Sequence, residues 1–177
     1  MRVLVTYASK HGSTQGIAER IGEDLRSDGY EVDVLEAKRA GRADGYDAVV
    51  VGSAAYAMHW MREASSFVKK NKETLARRPL WFFSSGPLGT DKVDKEGNDV
   101  AEASLPKEAQ EFAFLNPRDH HVFWGALDMD ELGFGGRMLM KMPAARENIP
   151  QGDFRDWDDI DRWAHGIAHE LASEPGR

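Results

Sequence analysis

Short runs of aliphatic and β-branched residues alternate along this chain with longer stretches in which apolar residues recur every three or four positions. That alternation constrains the fold more than any other feature, because a strand, a crossover helix and a second strand can share one sheet only in parallel. Residues 3–7, 48–52 and 80–84 are nearly unbroken apolar runs, as strands covered on both faces require. Residues 31–36 instead alternate Val32 and Val34 with charged neighbours, which predicts a strand at or near the sheet edge. Ile17, Ala18, Ile21 and Leu25 predict an amphipathic helix over 13–26, stopped by Asp28-Gly29. Phe67, Val68 and Leu75 predict a second helix over 61–76, ended before Pro79. Beyond strand four the pattern weakens. A loop or short helix is expected over 38–47, a polar loop over 91–102, helix over 107–115, a fifth strand over 122–127 and a closing amphipathic helix over 156–172. No repeat or linker divides the chain, so residues 1–177 read as one doubly wound α/β domain with helices on both faces of a parallel sheet.

Composition narrows the chemistry. Cysteine is absent, which excludes disulfides, thiolate catalysis, iron–sulfur clusters and cysteine zinc sites. A formal net charge of −7 argues against general affinity for nucleic acid. No apolar stretch reaches the ~20 residues of a membrane-spanning helix, and the opening residues are strand-like rather than a signal sequence. A cytoplasmic location is therefore the expectation.

Open α/β sheets bind ligands beyond the carboxyl ends of their strands. After strand one come Ser9, Lys10, His11, Gly12, Ser13 and Thr14, leading straight into a helix. Small and hydroxyl residues at a helix start offer unpaired N–H groups and a positive dipole end, which suits a phosphate; the plainer reading is that Ser13 or Thr14 only caps the helix. The loop lacks the Gly-Lys-Ser/Thr ending of a nucleoside triphosphate loop and the Gly-x-Gly-x-x-Gly of a dinucleotide site. A single phosphate monoester remains. After strand three come Ser53, Ala54, Ala55, Tyr56, Ala57, Met58, His59 and Trp60; after strand four, Ser84, Ser85, Gly86, Pro87, Leu88 and Gly89.

These three loops, in this order, resemble the flavodoxin family, whose first loop has a hydroxyl residue, a variable one and a Thr-Gly-x-Thr-like segment. Here His11 and Ser13 replace the more usual Thr and Asn. The resemblance implies a five-stranded parallel sheet in the order 2-1-3-4-5 and one non-covalently bound FMN. It implies phosphate at Ser9 to Thr14, ring contact from Ser53, Ala54, Ala55, Tyr56, Ala57 and Met58, with Tyr56 as the stacking aromatic, and backbone from Ser84 to Gly89 at the ring edge. Gly125-Ala126-Leu127-Asp128, the apolar and basic segment 133–146 and the last helix look like the menaquinone-dependent protoporphyrinogen oxidase branch. In that branch FMN takes electrons from a haem precursor and passes them to a quinone. The third loop has no second stacking Tyr, which implies a flavin face open to a substrate or quinone.

An FMN-dependent oxidoreductase is thus the leading reading, with a quinone or small molecule as partner. A non-enzymatic carrier between redox proteins is the alternative, favoured by the acidic charge, and a flavin-free binding module is a third. No nucleophile or acid–base pair stands out, although His59 could donate a proton to substrate. His165 and His169 read as solvated helix residues, His120-His121 as loop residues before a strand, and the carboxylates of 91–102 as solvated; none is expected to bind metal. Leu132, Phe134, Met138, Leu139, Met140 and Met142, beside Arg137, Lys141 and Arg146, read as core, with peripheral membrane contact as the competing expectation.

Overall fold

The computed structural model describes residues 1–128, 138 and 150–173. The expected segment 132–142 therefore lies outside the described residues except for Met138, which is exposed. The chain runs β1 (Arg2–Ala8), α1 (Ser13–Ser27), β2 (Glu31–Glu36), β3 (Ala48–Tyr56), β4 (His59–Trp60), α2 (Arg62–Leu75) and β5 (Leu80–Ser85). It continues through α3 (Val100–Ala103), α4 (Glu108–Glu111), a 3₁₀ turn (Ala113–Leu115), β6 (Asp119–Phe123), β7 (Ala126–Leu127), β8 (Gly152–Asp153) and α5 (Trp157–Ala172).

The parallel order is β2-β1-β3-β5-β6, and β4 folds back antiparallel on the end of β3. Without that two-residue strand this is the expected 2-1-3-4-5 order. The apolar runs are continuous because each strand feeds two cores. On one face Val3, Val5, Val50, Trp81, Phe83 and Phe123 meet Ile17, Ile21 and Leu25 of α1 and Ile160, Ala164 and Ile167 of α5. On the other, Leu4, Val49, Val51, Leu80 and Phe82 meet Ala64, Phe67, Val68 and Leu75 of α2 and Phe112 and Leu115. Full burial of one such aliphatic side chain contributes roughly 1.5–3 kcal/mol. Gly52 lies in mid-strand because a Cβ there would stand 1.9 Å from the Phe83 ring.

The two outer helices are tied by polar contacts as well. Arg20 donates from Nε and Nη2 to Asp161 at 2.7 Å each, Tyr30 donates to the Ala168 carbonyl at 2.9 Å, and His165 Nδ1 stands 2.7 Å from Asp28. His165 is thus hydrogen-bonded to Asp28 while its side chain stays half exposed.

The fifth strand corrects the expectation. It spans Asp119–Phe123, not 122–127, and it includes His120 and His121. Their rings substitute for apolar side chains. His120 packs beside Trp60 and Phe82 at 5.5 and 5.7 Å, while His121 lies 4.5 Å from Phe123 on the opposite face. The strand stops at Phe123 because the following amides leave the sheet: Gly125 N–H donates to the Pro87 carbonyl and Ala126 N–H to Ser13 Oγ. Likewise the helix expected over 107–115 is broken into α4 and the 3₁₀ turn, and residues 100–103 of the polar stretch form α3, capped by Asp99.

Candidate functional site at the strand ends

Gly12 holds the N-cap position of α1 with φ 76°, a left-handed conformation that residues with a Cβ enter at a cost of about 1–2 kcal/mol. A Cβ there would meet nothing within 4 Å, so the glycine is required by conformation and leaves open space. No side chain caps α1 and no acidic residue stands in its first turn, so no carboxylate competes there with an incoming anion. Neither Ser13 nor Thr14 is the cap. Thr14 is buried, and Ser13 Oγ accepts the Ala126 N–H at 2.8 Å, keeping its own proton to donate.

Arg155 reinforces this corner. It donates from Nε and Nη2 to Asp153 at 2.8 and 2.6 Å, lies 4.5 Å over the Trp157 ring and reaches the Ser13 carbonyl with Nη1 at 3.5 Å. The guanidinium holds the Asp153 carboxyl below the usual carboxylate range. It also brings positive charge to the first turn of α1, where a Cβ on Gly16 would stand 2.6 Å from Nη1.

The second loop is a β-hairpin. Ala55 pairs with Trp60 and Tyr56 with His59, leaving Ala57 and Met58 as a two-residue turn with φ 49° and 65°. Such turns favour Asn-Gly, and each residue with a Cβ held there carries about 1–3 kcal/mol of strain. The turn is held from behind: Lys107 N–H donates to the Met58 carbonyl at 2.9 Å, Glu108 Oε2 accepts the Trp60 N–H at 3.0 Å, and Ser53 Oγ accepts the Met61 N–H at 2.9 Å. Tyr56 stands at the rim, 48% exposed. Partial burial pushes its phenol up, so it stays neutral near neutrality.

In the third loop, strand alternation sends Ser84 and Ser85 to opposite faces. Ser84 Oγ is buried between Trp60 Nε1 and His120 Nε2, each at 2.8 Å. Burial lowers His120 to about 4, so its imidazole is neutral and accepts or donates this bond as its tautomer dictates. Ser85 faces the cleft, and Gly86 N–H donates to the Phe123 carbonyl.

The loops converge on one cleft. Ser9, His11, Ser13 and Thr14 line it from the first loop, Ala54, Ala55 and Tyr56 from the second, and Ser85, Gly86 and Leu88 from the third. Gly125, Ala126 and Leu127 form the remaining wall. These three are absent from the expected site; ending strand five at Phe123 would have marked them by the same strand-end rule. Lys10, Gly12, Ser53, Ala57, Met58, Ser84, Pro87 and Gly89 do not line the cleft. Of these, Gly12, Ser53, Ala57, Met58 and Ser84 shape the turns or support them from behind. His59 is not in the lining either; its Nδ1 lies 3.4 Å from Glu108 Oε1.

The enclosed space is small, about 80 Å³, and the half-exposed Tyr56 stands at its lip. A cavity of about 700 Å³ lies elsewhere, between β6, the 92–105 segment and α5. Several of its charges are engaged within the protein: Asp159 pairs with His121 and Arg162, and Asp99 and Asp156 cap helices.

A parallel sheet with strand-end loops that offer unpaired amides on one side and apolar and aromatic surface on the other defines a doubly wound α/β protein built to hold a phosphate-bearing ligand. A family profile described as Flavodoxin domain matches residues 4–151, and the chain belongs to the flavodoxin family. FMN is the cofactor of that family. The chain is 25% identical to the protoporphyrinogen IX dehydrogenase [quinone] of Escherichia coli K12 over 184 residues, which cover 99% of this chain and 98% of the relative. Among solved structures, a flavodoxin from the domain Archaea aligns with TM-score 0.59 and 17% identity, covering 97% of this chain and 99% of that one. The rubredoxin oxygen:oxidoreductase of Desulfovibrio gigas aligns with TM-score 0.60 and 16% identity over 97% of this chain but 36% of its own.

The cleft residues fit FMN. The uncapped start of α1 and the open space at Gly12 suit a dianionic monoester, and Ala54, Ala55, Tyr56 and Leu88 suit a flat aromatic ring.

Proposed function

We propose that this chain is an FMN-dependent oxidoreductase that oxidises a protoporphyrinogen-like substrate and passes the electrons to a quinone. The observation that carries the reading is the end-to-end match to the quinone-linked dehydrogenase, 99% of one chain against 98% of the other. The fold likeness to flavodoxins does not distinguish enzyme from carrier.

When bound, the flavin supplies reversible two-electron acceptance. The chain's residues do the rest. The first amides of α1, with the hydroxyls of Ser9, Ser13 and Thr14, would hold the phosphate. Tyr56, the half-exposed aromatic of the second loop, would cover one side of the ring. Gly86 and Gly125, without side chains, let backbone approach the ring edge. The lip beside Tyr56 leaves an apolar approach for a flat substrate, and none of these roles needs a side-chain acid or base.

A carrier role between redox proteins is the second reading, favoured by the net charge of −7, which would steer basic partners. No helix among the described residues is long and apolar enough to cross a membrane; contact with a lipid-soluble quinone at the membrane surface is part of the proposal. The test is twofold. The purified protein should be yellow and release FMN by mass, and it should turn over protoporphyrinogen IX anaerobically with a menaquinone analogue. A yellow protein that only exchanges electrons with proteins would establish the carrier instead.

A further inference from the structure

Glu108 lies about fifty residues from the hairpin it touches, in a segment that contributes nothing to the cleft lining. It is nevertheless buried, 7% exposed, an uncommon state for a carboxylate. Its Oε2 accepts the Trp60 N–H at 3.0 Å and its Oε1 faces His59 Nδ1 at 3.4 Å, while the adjacent Lys107 N–H takes the Met58 carbonyl at 2.9 Å.

Two features make this arrangement consequential. Strand β4 has only two residues and a single strand neighbour, so ladder bonds alone hold it weakly. Its turn places Ala57 and Met58 in left-handed conformations that neither side chain favours. A short hairpin with a strained turn relaxes unless something outside it holds the register. Here the outer edge is met by one carboxylate and one amide from residues 107–108, where another strand would otherwise pair.

We infer that Glu108 is a positioning residue: by clamping β4 it holds the strained Tyr56 turn in register and so fixes the aromatic wall of the cleft. Its effect on the ligand rests on the FMN reading above; its effect on the hairpin does not.

Glu108→Ala removes the acceptor, whereas Glu108→Gln keeps a carbonyl oxygen for the Trp60 amide. In the flavin-free protein, hydrogen exchange across 55–61 should quicken about tenfold in Glu108→Ala, the scale of one hydrogen bond to a charged group, and stay near wild type in Glu108→Gln. Amides of β1 and α5 should be unchanged in both. In a fluorescence titration, FMN should bind about tenfold more weakly to Glu108→Ala, with most affinity restored in Glu108→Gln. Unchanged exchange at 55–61, or a uniform rise across the whole protein, would overturn the clamp. So would Gln behaving as Ala. Should the wild type itself show no saturable FMN binding, the functional reading falls while the exchange data still decide the clamp.

Discussion

His120 shows how a single polar residue is absorbed into an apolar strand. Its Nε2 is satisfied by Ser84, its ring packs on Trp60 and Phe82, and Nδ1 is buried with no hydrogen-bond partner among the described residues. Burial is the main cause of its lowered pKa; Asp119 and Glu108 oppose the shift and His121 adds to it. A histidine depressed to about 4 from 6.5 binds its proton more weakly when folded, so the unfolded chain protonates first as pH falls. Stability should therefore be lost between about pH 6.5 and 4, by up to on the order of 3 kcal/mol. In urea unfolding, His120→Gln, which cannot titrate, should show a shallower fall over that window. Parallel curves would assign the acid sensitivity to other groups. Read locally, two adjacent histidines before an aliphatic run look like loop; the aromatic rings that cover His120, Trp60 and Phe82, come from other strands.

At the scale of elements, the start of α1 is organised by chain that arrives from the far end of the sequence. Ser13 fastens the Ala126 amide, and Arg155, leaving β8, lies against the same turn. Replacing Arg155 by Leu removes the cation and its fork on Asp153 but leaves both cores intact. FMN affinity should fall about tenfold, roughly 1.4 kcal/mol, with little change in the unfolding midpoint. Unaltered affinity in a flavin titration would remove Arg155 from the site's electrostatics. The first loop, Tyr56 and Ser85-Gly86 were legible because each follows a recognisable apolar strand. Gly125 to Leu127 were not, since the end of β6 is set by hydrogen bonds to Pro87 and Ser13. The inward turn of Ser84 was also hidden, because its partners Trp60 and His120 come from β4 and β6.

Across the whole molecule, a ligand that binds only the folded state stabilises it by mass action. FMN at about a hundredfold excess over its Kd should add roughly 2.7 kcal/mol, read as a rise in Tm. Riboflavin at the same concentration should add far less, because it lacks the phosphate proposed to meet α1. Equal shifts would displace the phosphate from that turn. The parallel sheet and its covering helices follow from the alternation of apolar runs and helical periods, a pattern each segment carries independently of its neighbours, whereas the strand order was implied by the resemblance to flavodoxins. What the chain alone determined is therefore the scaffold and the three loops at its strand ends. Tertiary structure decided the fourth wall at Gly125 to Leu127, the packing of His120 against Trp60 and Phe82, and the contact of Glu108 with the Tyr56 turn. Each of those depends on groups distant in sequence satisfying one another's hydrogen bonds, and no local pattern encodes such a partnership.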